Sequence, residues 1–179
     1  IPDLPGFVRA LKDQGIYTIA RIVCFADPKL PLVHPELAIV HTQKKTPWKS
    51  WGTAGTWLDP YNTANHDMIV ELTKEAAAAG FDEIQLDYIR FPVDDGIKYA
   101  EFPAKKDNTT ERWKLLLGLL ARIDEAVKIP LGCDVFGLTA FNFGDDTVLG
   151  QRLHEWAGHV EVFSPMLYLY AMRDKLVRR

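Results

Sequence analysis

Asp87 and Asp134 each close an apolar, β-branched stretch, which is where a strand would deliver a carboxyl group to one end of a sheet. In Glu83-Ile84-Gln85-Leu86-Asp87, strand alternation turns Ile84 and Leu86 one way and Gln85 and Asp87 the other. The same parity in Leu131-Gly132-Cys133-Asp134-Val135-Phe136 sends Leu131, Cys133 and Val135 outward and Asp134 inward. Two carboxyls facing one cavity suit paired acid–base or nucleophilic work, provided their environments push their pKa values apart. A carboxylate taken out of water needs a partner. Arg21 interrupts the apolar stretch before the one carrying Asp87 and could hold that group ionised, although the three residues also read as a structural ion cluster. Arg90, just ahead of Pro92, reads equally as a contact for a substrate hydroxyl and as a partner for a loop carboxylate such as Asp94.

Aromatic residues gather around the same segments. Trp48, Trp51, Trp57, Tyr61, Tyr88, Phe91, Tyr168 and Tyr170 fall in or beside the expected loops, and rings of this kind cover the apolar faces of sugars. Taken singly, each reads as packing. His34, His41 and His66 have no partner at fixed spacing and read as surface residues. Cys24 and Cys133 lie inside apolar strands without a CxxC neighbour, so free packed thiols are expected rather than a disulfide framework or a zinc site.

The elements that position these residues follow from pattern. Helices are expected over 4–14, 63–79, 110–128 and 148–157, with the start of another at 172–179, and strands over 17–25, 83–91, 131–136 and 160–167. A long polar connection over 27–55 and a short extended piece at 56–59 separate the first strand from the second helix, and a loop is expected at 137–147. Strands alternating with helices are the grammar of a parallel α/β sheet. Phe25-Ala26-Asp27-Pro28 has no glycine, where a doubly wound sheet would carry a glycine-rich turn, so a (β/α)8 barrel is favoured. Four strands make about half of one.

The chain has 179 residues and 47% apolar composition, enough for a sizeable single core. Lys and Arg number 21 against 24 Asp and Glu, without a basic stripe, so no nucleic-acid partner is expected. No apolar stretch approaches the ~20 residues of a membrane span.

The stretch from Gly80 to Pro92, Gly80-Phe81-Asp82-Glu83-Ile84-Gln85-Leu86-Asp87-Tyr88-Ile89-Arg90-Phe91-Pro92, resembles the signature of a bacterial family of glycosyl hydrolase domains, a barrel related to the alpha-amylase-like glycosidases. Further stretches agree in order: Ile19-Ala20-Arg21-Ile22-Val23 with Asp27-Pro28, Trp57-Leu58-Asp59-Pro60-Tyr61, Cys133-Asp134-Val135-Phe136-Gly137, Gly150-Gln151, and Ser164-Pro165-Met166-Leu167-Tyr168. The chain departs where family members continue into Pro-Ser-His, reading Leu169-Tyr170-Ala171 instead. The resemblance implies a single catalytic barrel domain over 1–179. It also implies that the four strands are the third to sixth of the barrel, with two further strands on either side of the chain.

By this resemblance the chain is expected to be a glycoside hydrolase acting on a polysaccharide or oligosaccharide. Asp87 is expected as nucleophile or oxocarbenium stabiliser and Asp134 as acid/base, with Arg21, Arg90, Trp57, Asp59, Tyr88 and Tyr168 binding substrate. No cofactor or metal is expected, and the resemblance implies an extracellular or cell-envelope location. Two other readings stay open: a carbohydrate-binding barrel without catalysis, and a magnesium-dependent lyase or hydrolase using Asp59, Asp87 and Asp134 as oxygen ligands.

Overall fold

The computed structural model describes residues 2–50, 55–94, 96–140 and 148–168. Helix α1, Leu4–Lys12, is capped by the Asp3 carboxylate, which accepts from Gly6 N–H at 2.9 Å, and the chain turns out of it at Gly15 with φ +73°. Strand β1, Ile19–Val23, follows. Its entry is fixed from a distance: Asp82 accepts from both the backbone and the hydroxyl of Thr18 at 2.8 Å and pairs with Lys12 at 2.7 Å. Helix α3, Thr63–Ala78, starts at Asn62, which accepts from Ala64 N–H, and Gly80 at φ +94° lets the chain reverse into β3, Glu83–Asp87. Helix α4, Arg112–Ala126, precedes β5, Leu131–Phe136, and a short helix α5, Leu153–Trp156, precedes β6, Val162–Met166.

These four strands form one parallel sheet in the order β1-β3-β5-β6. The strand order is that of the sequence with helices in the crossovers, the arrangement of a (β/α) barrel segment. Register puts Ile84 beside Leu131 and Leu86 beside Cys133, and all four are buried in one core with Ile69, Leu116, Leu120 and Ile123 of α3 and α4. Both cysteines are buried and unpaired. The opposite face is open: Ile19 is 46% exposed and Val162 40%, and Arg21 lies on the same side. Among the described residues no helix is long and apolar enough to cross a membrane.

Several expectations need correction. In the described part of the polar connection over 27–55, residues 27–50 form a folded layer with short elements of its own. It contains α2, Leu30–Val33, and β2, Val40–His41, which pairs antiparallel with β4, Ala100–Glu101. Antiparallel bridges join Ala26 to Trp57, Ala38 to Leu58 and Lys49 to Thr56, and Ile39, Trp48, Trp57 and Leu58 are buried beneath them. The β3 ladder ends at Asp87 rather than Phe91, because Tyr88 turns to φ +51°. Helix α5 begins at Leu153 rather than Val148, since Gly150 at φ +78° breaks any earlier turn. The expected helix at 172–179 and loop residues 141–147 lie outside the described residues.

Candidate active site

Strand alternation brings Arg21, Gln85, Asp87 and Asp134 to the open face of the sheet, with Asp87 and Asp134 toward the C-terminal ends of β3 and β5. The register carries this: Arg21 stands beside Gln85, Val23 beside Asp87, and Gln85 beside Gly132. Asp87 is held at both carboxylate oxygens and at its carbonyl. Its Oδ2 pairs with Arg21 Nη2, its Oδ1 accepts from Tyr88 N–H at 2.7 Å, and its backbone carbonyl accepts from Cys24 N–H at 2.8 Å. Asp134 has a different setting. Its Oδ1 accepts from Gln85 Nε2 at 2.8 Å, and burial, followed by the charge of Asp87, raises its pKa above the ordinary Asp value against the opposing pull of Gln85 and Arg21. One carboxyl is therefore fixed by a guanidinium, while the other is set to hold a proton more tightly.

Tyr88 is one of two non-glycine residues with positive φ among the described residues, the other being Lys45 in an exposed turn. Left-handed backbone strains a side chain by roughly 1–2 kcal/mol. The ring of Tyr88 packs edge-on against Trp57, with centroids 5.6 Å apart.

Three residues expected to touch substrate are interior instead. Trp57 is fully buried, and the Arg90 guanidinium carbon stands 4.9 Å from its ring, 5.4 Å from that of Tyr88 and 5.8 Å from that of Phe136. Arg90 is 5% exposed, donates from Nη1 to the Phe91 carbonyl at 3.2 Å and lies 3.9 Å from Asp94; its burial lowers its pKa, opposed by the Asp94 charge. Of its two expected roles, the loop carboxylate is the one nearby. Asp59 is buried with Oδ1 accepting from Tyr61 N–H and Oδ2 from Ala104 N–H, each at 2.9 Å, and burial raises its pKa. It fastens two loops together and does not join Asp87 and Asp134 as a ligand set. Among the described residues no three His, Cys, Asp or Glu side chains are grouped as metal ligands.

Tyr168 is exposed just beyond β6. Trp48 is buried and donates to the Gly96 carbonyl at 3.1 Å, while Tyr61 and Phe91 pack with Phe102. Trp51 and Tyr170 lie outside the described residues. His34 is exposed beside Glu36, and His41 stacks on Tyr99 at 5.2 Å. His66, expected at the surface, is buried on α3 and donates from Nε2 to the Pro60 carbonyl at 2.7 Å, since a carbonyl can only accept.

Gln151 was not anticipated as a site residue. It is buried, its Oε1 accepts from Phe136 N–H at 2.8 Å, and its Nε2 reaches the carbonyls of Ile89 and Asp134 at 3.4 Å. It ties the ends of β3 and β5 and so sets the backbone under Asp134. The pair Gly150-Gln151 is its only trace in the sequence.

A family model described as "Putative glycosyl hydrolase domain" matches residues 1–173. Among solved structures, a hypothetical protein from Ruminiclostridium thermocellum ATCC 27405 is 34% identical with a TM-score of 0.61, covering 74% of this chain and 65% of its own. The PgaB (BpsB) glycoside hydrolase domain from Bordetella bronchiseptica is 14% identical, TM-score 0.59, covering 87% of this chain and 52% of its own. The glycoside hydrolase domain of PelA from Pseudomonas aeruginosa is 15% identical, TM-score 0.56, covering 90% and 55%. At such identities the last two show the fold alone, and the chain spans less than two thirds of each of the three structures. A comparison with curated proteins finds no match.

Proposed function

The chain belongs to the glycosyl hydrolase domain family whose model covers residues 1–173, and from that membership we propose that it cleaves glycosidic bonds of a polysaccharide or oligosaccharide with paired aspartates. Asp87 is the nucleophile or oxocarbenium stabiliser, and Asp134 is the general acid. The observation that carries this reading is the unequal setting of two carboxyls on neighbouring strands of one sheet face. Asp87 is gripped by Arg21, while Asp134 accepts from the Gln85 amide and has a raised pKa.

A glycosidic oxygen leaves only if it is protonated as the bond to the anomeric carbon breaks, which asks for a carboxyl still protonated at working pH. Positive charge growing on the sugar ring asks for a carboxylate opposite it. Arg21 keeps Asp87 in place for that role, Tyr88 and Tyr168 border the substrate, and Trp57, Asp59 and Arg90 support the loops from beneath.

The test is reducing-end release from a panel of neutral, amino and acidic oligosaccharides, with proton NMR of the first anomer formed. Asp87→Asn and Asp134→Asn should each lower turnover by about 10²-fold or more with the fold intact. Wild-type turnover retained in Asp87→Asn would sink the assignment. Affinity without turnover in the parent would favour the binding-module reading. Activity abolished by a chelator and restored by Mg²⁺ would favour the metal-dependent one.

A further inference from the structure

The layer that follows β1 turns basic where the chain folds back on itself. Residues 41–50 hold Lys44, Lys45 and Lys49 and no Asp or Glu, in a chain whose net charge is -3. His41, Gln43, Lys44, Trp48 and Lys49 of this segment, together with Tyr99, line a cavity of about 780 Å³. That volume falls within the ~300–1,000 Å³ of small-molecule sites. We propose that this cavity is a binding subsite for an anionic sugar, a uronate or a sulfated residue, of a glycan. That the ligand is a sugar rests on the reading of the chain as a glycosidase; that it is anionic rests on the cavity itself.

The walls are held by bonds that leave the binding groups unused. β2 pairs with β4, His41 N–H donates to the Thr46 carbonyl at 2.8 Å, and Thr42 N–H donates to the Tyr99 carbonyl at 2.8 Å. The indole N–H of buried Trp48 donates to the Gly96 carbonyl. The His41 ring lies flat on Tyr99, with 8° between the planes. Its Nδ1 accepts from the amides of Gln43 at 3.2 Å and Lys44 at 3.3 Å, and a ring nitrogen that accepts carries no proton. The proton is therefore on Nε2, a fixed donor that has no partner among the described residues.

The charges are unused as well. Glu101 neutralises Lys45 at 2.9 Å, whereas Lys44 and Lys49 pair with no carboxylate among the described residues. Like charges along one cleft concentrate counter-ions within it. The ammonium groups attract any anion, but the Gln43 amide and the His41 Nε2–H call for neutral polar groups around the charge. An acidic sugar supplies both, with its anionic group and its ring hydroxyls. A simple inorganic anion supplies only the first. The layer follows β1 and β3 directly, so the cavity belongs to the end of the sheet that carries Asp87. A sugar held there would fix the glycan chain through a residue other than the one being cleaved.

The test is calorimetric titration of the full chain with trimers of galacturonic acid, of sulfated galactose and of uncharged galactose, and with inorganic sulfate. At least one acidic trimer should bind about tenfold tighter than the uncharged trimer or sulfate, and added salt should weaken it. The same trimer should shift the ¹⁵Nε2 resonance of His41. The exposed pair Lys44→Gln/Lys49→Gln should weaken that binding about fivefold. Lys74→Gln/Lys128→Gln removes equal charge from α3 and from the end of α4, and should leave binding within about twofold.

An uncharged trimer bound as tightly as the acidic ones overturns the proposal. So does an unmoved His41 resonance, which places the ligand elsewhere, and so do equal losses in the two lysine pairs, which reduce the effect to net charge. Should the acidic trimer bind as expected while the parent cleaves no oligosaccharide of the panel, the subsite stands and the glycosidase reading fails. Cleavage without any preference for an acidic sugar would leave the glycosidase reading standing and overturn the subsite.

Discussion

Burial and the charge of Asp87 both act against an ionised Asp134, so the folded chain binds a proton there more tightly than the unfolded chain does. The sign of the pH effect follows. The protonated side chain is tolerated in full below the ordinary Asp value of 3.8, and stability is lost as pH rises through the higher folded value. Replacing the carboxylate with an amide of the same shape should therefore raise the melting temperature of Asp134→Asn at neutral pH by about a degree or two, the gain vanishing in acid. Thermal unfolding across pH checks this, and a variant no more stable than the parent at neutral pH would refute it. Strand parity made this residue legible, together with Arg21 and Asp87, because alternation of period two needs no knowledge of distant contacts. Trp57, Asp59 and Arg90 were not legible as interior residues. Asp59 is buried by a bond to Ala104, 45 positions later, and Arg90 by Phe136 on another strand, and no local pattern announces such partners.

Helix α3 shows what happens when periodicity is read without the segments around it. Its apolar face was plain in the sequence, but His66 lies on that face, buried with its ring 5.9 Å from Phe25 and bonded to the Pro60 carbonyl. Burial keeps its pKa below the ordinary 6.5. The unfolded chain therefore binds the proton first on acidification. The stability that neutral His66 contributes is complete above pH 6.5 and is lost as pH falls through the lower folded value. Urea midpoints should accordingly decline below pH 6.5, and His66→Gln should flatten that decline while leaving the slope of the unfolding curve unchanged. An identical decline in the variant would place the acid sensitivity elsewhere. The α5 boundary failed for a related reason: the apolar residues from Val148 continue a helical pattern, and only the positive φ of Gly150 and the anchored Gln151 stop it.

Across the whole molecule, the parallel sheet and its order were legible, since helices and strands alternate along the chain and each strand keeps one apolar face. The loop layer was not. β2 and β4 have two residues each and pair over a long separation, too short for any period to be seen. A polar stretch rich in proline and lysine looked like an excursion, yet it encloses Trp48 and Trp57 as firmly as the sheet encloses Leu86.

That layer fastens the segment after β1 to the segment after β3 through the β2–β4 pair, the Trp48–Gly96 bond and the Asp59–Ala104 bond. Two stretches that would ordinarily open independently thus share one closing event. In solvent-exchange terms, the amides of Ile39, Trp48 and Leu58, bonded to Trp57, Ile39 and Phe25 carbonyls, should be protected about as long as those of the sheet. Asp59→Ala should speed all three together, because releasing one fastening loosens the joint rather than a single loop. Deuterium uptake resolved by residue would show this, and a response confined to the residues next to Ala104 would show two separate loops instead.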